Sequence, residues 1–314
     1  VRGFLRDAKQ PLAIAVEREA GHISVYDTFV HGTAKMQQAD FYYVERMVKF
    51  LLWAKGGFRV TICGDRGIYE HIKSVYSPEG ARAFDFKTMS DVYEHPFEIL
   101  HLPYDQKPDE AESSQPLGGH LDGCRIGFDA GGSDRKVSAV MDGEVLYSEE
   151  VVWSPKTNSD PDYHFNGIVT ALKTAASKLP RVDAIGISSA GIYVNNRTML
   201  ASLFLKVPKD LFDAKVKNIY ERACREIGDV PFIVANDGDV TALAGAMELK
   251  DTGVLGIAMG TSEAVGYVDE RGNVTGWLNE LAFAPVDAHP EAMEDEWSGD
   301  IGCGVKYFSQ DGIV

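Results

Sequence analysis

Apolar positions along the chain change period several times, and each change marks an element. Leu12 to Val16 and Ile23 to Val30 are apolar runs of strand length around Glu19-Ala20-Gly21-His22. From Ala39 to Lys55, apolar and aromatic residues recur at helical spacing (Phe41, Val44, Met47, Val48, Leu51, Leu52), and Gly56-Gly57 stops the helix. Phe58 to Cys63 reads as a buried strand, Gly64-Asp65-Arg66-Gly67 as a turn and Ile68 to Val75 as a helix. Arg82 to Met89 and Phe97 to Leu102 are weaker strands. Pro103 to Gly119 breaks the pattern. It is polar and rich in Pro, Gly and acid, as a linker is.

Beyond it the order is regular. A hairpin over 126–149 leads to a strand at Glu150 to Trp153, a polar loop and a helix over 163–178. Then come a strand (Val182 to Ser188), a mixed segment with Leu203 to Val207, a helix (Leu211 to Ile227), a strand (Phe232 to Ala235) and a helix over 240–249. Val254 to Met259 and Ala264 to Asp269 read as two further strands. Strands alternating with helices predict α/β architecture. The expected division is an N-terminal α/β region at 1–102, a linker at 103–122, one lobe at 123–248 and the beginning of another at 249–314. The region before the linker repeats the hairpin, helix, strand, turn order of the region after it. Gly67-Ile68-Tyr69 also matches Gly191-Ile192-Tyr193. This reads either as a degenerate duplication or as coincidence.

Composition narrows the function. The 314 residues suffice for about two domains. A net charge of −16 argues against nucleic acid and anionic membrane surfaces, yet leaves room for a local anion pocket. The four cysteines (Cys63, Cys124, Cys224, Cys303) are far apart with no C-x-x-C pair, which fits reduced thiols in a cytoplasmic protein. No apolar run reaches the roughly 20 residues that span a bilayer, and no signal-peptide pattern opens the chain. The start at Val1 and the stop at Val314, with no closing helix or polar tail, read as a fragment of a longer product.

The chemistry gathers at strand ends. Within Arg125 to Val140, Asp129 closes an apolar strand and Gly131-Gly132-Ser133 follows at once, with Lys136 beyond. Glycines let backbone N–H groups approach an anion, and Ser133 and Lys136 add a hydroxyl and a positive charge. Asp129 is placed to hold a hydrated Mg²⁺ beside a phosphate. The same turn also reads as a plain hairpin. Two later strands end in Asn236-Asp237-Gly238-Asp239 and Gly260-Thr261-Ser262. Ligands of α/β sheets bind outside strand carboxyl ends. Two glycine-and-hydroxyl loops with an aspartate between them suit a nucleotide triphosphate, with Asp237 as general base for an attacking hydroxyl.

From about residue 124 to 283 the sequence resembles the ROK group of sugar kinases, within the actin-like ATPase (ribonuclease H-like) fold that also holds hexokinase. Asp129-Ala130-Gly131-Gly132-Ser133 resembles its first phosphate motif, D-x-G-G-T. Ser188-Ser189-Ala190-Gly191 resembles its P-G loop, with Ala190 in the place of proline. Val234 to Asp239, with Ala242 and Ala244, resembles V-x-N-D-A-N-A-A-A. Met259 to Gly266 resembles the second phosphate motif, G-T-G-x-G-x-G, and Gly276 to Glu280 resembles G-x-x-G-E.

The resemblance implies actin-like lobes and an ATP- and Mg²⁺-dependent kinase acting on a small sugar, and the net charge adds the expectation of no nucleic-acid or membrane partner. A homodimer is compatible with it. Asp237 would be the base, Asn236 and Glu280 would bind the sugar, and Gly131, Gly132, Ser133, Gly260 and Thr261 would line the phosphates. From the sequence itself, Trp153, Trp277 and Trp297 read as packing residues, with stacking on a sugar ring the alternative for Trp277, three before Glu280. The sequence also departs from the pattern. Phe283 stands where a histidine is usual, and only Gly302-Cys303-Gly304 matches the cysteine-rich zinc motif, so no structural zinc is expected. Glu263 and Ala264 replace a glycine-rich turn, and the sequence ends before the family's adenosine-binding C-terminal region, so either the chain is incomplete or its nucleotide pocket is half-built. These departures keep open a non-catalytic sugar- or nucleotide-binding regulator, or another actin-like ATPase.

Overall fold

The computed structural model describes every residue except Thr261, Asp311, Ile313 and Val314. The chain is mixed α/β and divides into two compact units. One holds residues 1–115, 258–265 and 275–314, and the other holds 116–257 and 266–274. The crossing at 115/116 falls inside the polar stretch 103–122. Residues 249–314 are shared between the two units rather than standing alone.

The first unit opens with a helical turn, α1 (Arg2–Leu5), and a four-stranded sheet follows. Its strands are β1 (Gln10–Glu17), β2 (Ile23–Val30), β3 (Arg59–Cys63) and β4 (Glu98–Leu102), in the order β2-β1-β3-β4. Leu12 to Val16 are all buried because β1 is an inner strand. Helix α2 (Gln37–Lys55) buries Val44, Val48, Leu51, Leu52 and Trp53. Gly56 ends it at φ +82, where a Cβ would stand 1.8 Å from the Tyr93 hydroxyl. Helix α3 (Arg66–Val75) begins at Asp65, whose side chain accepts from the Ile68 N–H.

Arg82 to Met89 is not a strand. It lies in helix α4 (Ala83–Tyr93), which buries Asp85, Met89, Val92 and Tyr93 at helical spacing. Its Asp85 accepts the Trp53 indole N–H at 2.8 Å. That inward carboxylate breaks the apolar stripe that would have marked the helix.

Nearby, Asp300 is held by Arg46 at 2.7 Å, Lys49 at 2.8 Å and Arg82 at 2.8 Å, all nearly buried. This cluster fastens the segment around residue 300 onto α2. The supposed linker is also held down in part: Ile23 and Ala111 exchange backbone hydrogen bonds, and Glu112 pairs with Arg18.

The second unit is built on a five-stranded sheet in the order β11-β8-β5-β6-β7. The strands are β5 (Cys124–Ala130), β6 (Asp134–Met141), β7 (Glu144–Val152), β8 (Ala184–Ser189) and β11 (Phe232–Asn236); β9 (Ile192–Val194) and β10 (Arg197–Leu200) form a separate pair. β5, β6 and β7 make an antiparallel meander, and β8 and β11 run parallel to β5. Helix α5 (Pro161–Ala176) packs Ile168, Ala171, Leu172 and Ala175 into the core from one face.

The expected helix from Leu211 to Ile227 is broken. A short turn, α6 (Lys209–Leu211), and a π-helical turn (Phe212–Val216) precede α7 (Ile219–Arg225). Helix α8 (Asp237–Leu249) and a hairpin of β12 (Val254–Met259) and β13 (Glu263–Val268) complete the order.

The duplication does not survive this topology. β8 returns parallel to β5, whereas β3 returns antiparallel to β1. Three strands precede the crossover helix in the second unit and two in the first, so the chain enters the two helices pointing opposite ways along the sheet. Gly67-Ile68-Tyr69 lies in α3, whereas Ile192 and Tyr193 lie in β9.

Candidate functional site

In the second unit three parallel strands end side by side. The register aligns Ala130 with Ser189 and Ser189 with Asn236, and one step earlier Asp129 with Ser188 and Ser188 with Ala235. This edge therefore gathers Asp129, the Gly131-Gly132-Ser133 turn, Ser189, Asn236 and Asp237. Carboxyl ends of parallel strands are where α/β sheets accept ligands, because the chain leaves each strand in a loop rather than another ladder.

The Asp129 side chain is 41% exposed, and the Lys136 ammonium stands off at 4.0 Å. Lys136 itself is engaged elsewhere, with Asp134 at 2.7 Å. Ser133 also gives its hydroxyl proton to Asp134, at 3.1 Å. These bonds, the Lys136 one foremost, lower the Asp134 carboxyl below its ordinary pKa. The two side chains read from the sequence as anion ligands are thus partnered within the turn.

Two features missed by the sequence reading compensate. The Trp153 indole donates to the Gly131 carbonyl at 2.8 Å and fixes the turn. Lys156 lies over Gly132, where a Cβ would be 2.6 Å from its Cε and 2.8 Å from its Nζ. Only glycine admits this ammonium so close to the backbone. Lys156 sits in a polar loop with no periodic signal, so nothing in the sequence pointed to it.

Asn236 and Asp237 form the junction of β11 and α8. Asn236 is the N-cap: its Oδ1 accepts from the Gly238 N–H at 2.7 Å, and its Nδ2 donates to the Gly191 carbonyl at 2.6 Å. One amide hydrogen is left over for another acceptor. Asp237 opens the helix itself, and its Oδ1 is 3.0 Å from the Gly238 nitrogen. Burial raises the Asp237 carboxyl above its ordinary value, the Gly238 N–H opposes this, and the charge of Asp129 adds to the rise.

Under this edge lies a hydroxyl cluster. Fully buried Ser189 accepts from Tyr193 at 2.7 Å and from Tyr220 at 2.8 Å. Burial pushes Tyr220 up to about 12, so it stays a neutral donor.

The start of α8 is fixed by glycines of the β12–β13 hairpin. A Cβ at Gly266 would stand 2.3 Å from the Gly238 carbonyl oxygen, and one at Gly256 would stand 2.6 Å from Ala242 Cα. Backbone thus packs on backbone beside Asp237.

Gly260 and Glu280 belong to the first unit, and Thr261 lies outside the described residues. Gly260 accepts from the Gln310 N–H at 2.9 Å. The backbone N–H groups of Leu278, Asn279 and Glu280 donate to Lys55, Ala54 and Trp53 and so cap the end of α2. Trp277 does not offer an open face for stacking on both sides: the Lys55 ammonium sits 2.8 Å from its ring centre, and its N–H reaches Glu112 at 3.3 Å. Glu263 turns inward. It is buried, its Oε2 has no hydrogen-bond partner, and burial pushes its carboxyl up to about 7. Among the described residues no three His, Cys, Asp or Glu side chains group as a metal site, and no helix is long and apolar enough to cross a membrane. All four cysteines are free and buried.

No protein-family model matches the chain, and no curated protein matches it. Solved structures do. One is a ROK family transcriptional regulator, homologous to the E. coli MLC protein, at 18% identity and TM-score 0.45, covering 63% of this chain and 49% of that one. A second is the ROK hexokinase of Thermus thermophilus, at 17% identity and TM-score 0.45, covering 58% of each chain. A third is the inorganic polyphosphate/ATP-glucomannokinase of Arthrobacter sp. strain KM, at 21% identity and TM-score 0.43, covering 54% of this chain and 66% of that one. The chain spans between about half and two thirds of the length of these three. Proteins described as ROK family, a transcriptional regulator and a hexokinase, are thus among the structures it resembles.

Proposed function

We propose that the chain phosphorylates a sugar hydroxyl at the expense of ATP, with Mg²⁺ as cofactor and Asp237 as general base. The observation that carries this is the register of β5, β8 and β11, which sets Asp129, Ser189 and Asn236-Asp237 along one sheet edge. The residues there fit the cofactor. The Asp129 side chain is partly open to water, as a ligand of hydrated Mg²⁺ would need. The Gly131-Gly132 backbone carries no side chain where Lys156 approaches, so a phosphate at this turn would meet bare backbone and an ammonium. Bound MgATP supplies the activated phosphoryl group and neutralises its charge. Asp237, a stronger base than an ordinary aspartate, takes the hydroxyl proton, and the spare Asn236 N–H orients that hydroxyl. On the resemblance alone, Gly260 and Thr261 line a second phosphate loop and Glu280 holds the sugar.

One observation favours a second reading, a sugar-binding relative without turnover. Asp134 places a carboxylate in the first anion loop and occupies both Ser133 and Lys136. ADP release measured across a panel of hexoses separates the two. The kinase reading expects sugar-dependent release that Asp237→Asn lowers by about 10²–10⁴-fold. Thermal stabilisation by a sugar without ADP release from any hexose would instead establish the non-catalytic relative.

A further inference from the structure

Away from these strand ends, the first unit has a cavity of its own. Its volume is about 220 Å³, and its walls include Gly32, Thr33, Gln37, Asp40, Phe41 and Asp65. β2 and β3 are both antiparallel to the strand between them, β1, so they run the same way. Gly32 follows the last residue of β2 by two positions, and Asp65 follows the last residue of β3 by two. The cavity thus sits beyond two parallel strand ends, where the first turn of α2 and the start of α3 also lie.

Its carboxylates are fixed in advance. Asp40 is 2% exposed and accepts the backbone N–H groups of His31 and Gly32, each at 2.9 Å. Asp65 accepts the Ile68 N–H at 3.0 Å and the Gln10 amide at 3.1 Å. Each carboxylate oxygen has one donor already and a lone pair to spare. Both side chains lie at helix N-termini, whose partial positive charge offsets theirs. A ligand is therefore not needed to neutralise them, and an anionic one is repelled by them. Thr33 and Gln37 add groups that donate and accept. Phe41 adds an aromatic ring, stacked on His71 with centroids 4.4 Å apart. Carboxylate acceptors, an amide, a hydroxyl, an aromatic ring and the apolar Ala34 and Ile68 thus line one cavity, a mixture that matches the alternating O–H and C–H surface of a polyol. The volume lies below the ~300 Å³ at which drug-sized pockets begin, which limits the occupant to a small molecule.

We propose that this cavity binds a neutral polyhydroxylated small molecule, no larger than a monosaccharide. The site is independent of the phosphoryl-transfer reading, because all its residues belong to the first unit. The test follows backbone amide NMR shifts of the full chain during titration with glucose, mannose or glycerol, with glucose 6-phosphate and glucosamine as charged comparators. The expected result is saturable shifts at Gly32 and Thr33 with a neutral probe and weaker ones with glucose 6-phosphate, which the two carboxylates repel. Thr33→Val combined with Gln37→Leu should weaken that binding about tenfold, as two lost hydrogen bonds require, with the amide spectrum otherwise retained. Three results overturn the proposal: no neutral probe moves Gly32 and Thr33, a charged probe binds more tightly, or the double variant binds as the unsubstituted chain does. Shifts confined to Gly131 and Gly132 also overturn it, and leave the kinase reading standing.

Discussion

Replacing Gly266 with alanine sets a methyl group against the beginning of α8. The new Cβ would lie 2.3 Å from the Gly238 carbonyl oxygen and 2.4 Å from Asp239 Cα, where ordinary contact starts at 3.4 Å. The main chains must therefore part by about 1 Å. Both atoms are backbone, so no rotamer change relieves the contact. The hairpin meets α8 again at Gly256, where a Cβ would stand 2.6 Å from Ala242 Cα. Overpacking of this kind costs about 1–3 kcal/mol. Asp237 is one residue from Gly238 and moves with it, and a 1 Å displacement of a catalytic group costs up to about 10²-fold in rate. Urea unfolding and sugar-dependent ADP release, measured on the same preparation, read both effects. Gly186→Ala is the control, because a Cβ there meets nothing within 4 Å. The reasoning is refuted if Gly266→Ala matches Gly186→Ala in unfolding free energy and keeps full turnover.

Three further substitutions probe other parts of the account. Glu263→Gln removes a carboxyl whose folded-state pKa is raised from 4.5 to about 7. A raised carboxyl stabilises fully below the unfolded value and loses that contribution as pH rises through about 7. The variant should therefore gain up to about 3 kcal/mol over the unsubstituted chain between pH 5 and pH 8, by urea unfolding at each pH, and a pH-independent difference would contradict this. Asp300→Ala leaves Arg46, Lys49 and Arg82 without their shared carboxylate and should cost about 3–5 kcal/mol in the same assay; a loss under about 1 kcal/mol would show the cluster to be hydrated. Lys156→Met should raise the KM for ATP while leaving the unfolding free energy within about 0.5 kcal/mol, since the side chain is exposed; an unchanged KM would remove Lys156 from the phosphate site.

Much of the second unit was legible in the sequence because each strand ends in a local signal. Asp129 followed by two glycines, and Asn236-Asp237-Gly238 after an apolar run, mark their positions by composition alone. The structure shows why Asn236 belongs there: it caps α8 and ties down the Gly191 loop. Lys156 was not legible, because its approach to Gly132 joins residues 24 positions apart in sequence through a loop without period. Nor was the pairing of Ser133 and Lys136 with Asp134, which depends on turn geometry rather than residue type. In the first unit, Phe84 and Phe86 gave α4 a false two-residue alternation, and its inward Asp85 hid the helical stripe. The apparent duplication failed for a similar reason. Element order survives in a sequence, but strand direction depends on whether the number of strands before the crossover is odd or even.

The central claim is that Asp237 takes the proton from a sugar hydroxyl as a phosphoryl group arrives. Its most direct test is transfer of the labelled γ-phosphoryl group of ATP to a hexose by the full chain and by Asp237→Asn, with the sugar phosphate isolated and counted. The account predicts labelled sugar phosphate from the unsubstituted chain and about 10²–10⁴-fold less from the variant. Equal transfer by both, or bound ATP with no labelled product from any hexose, would contradict it.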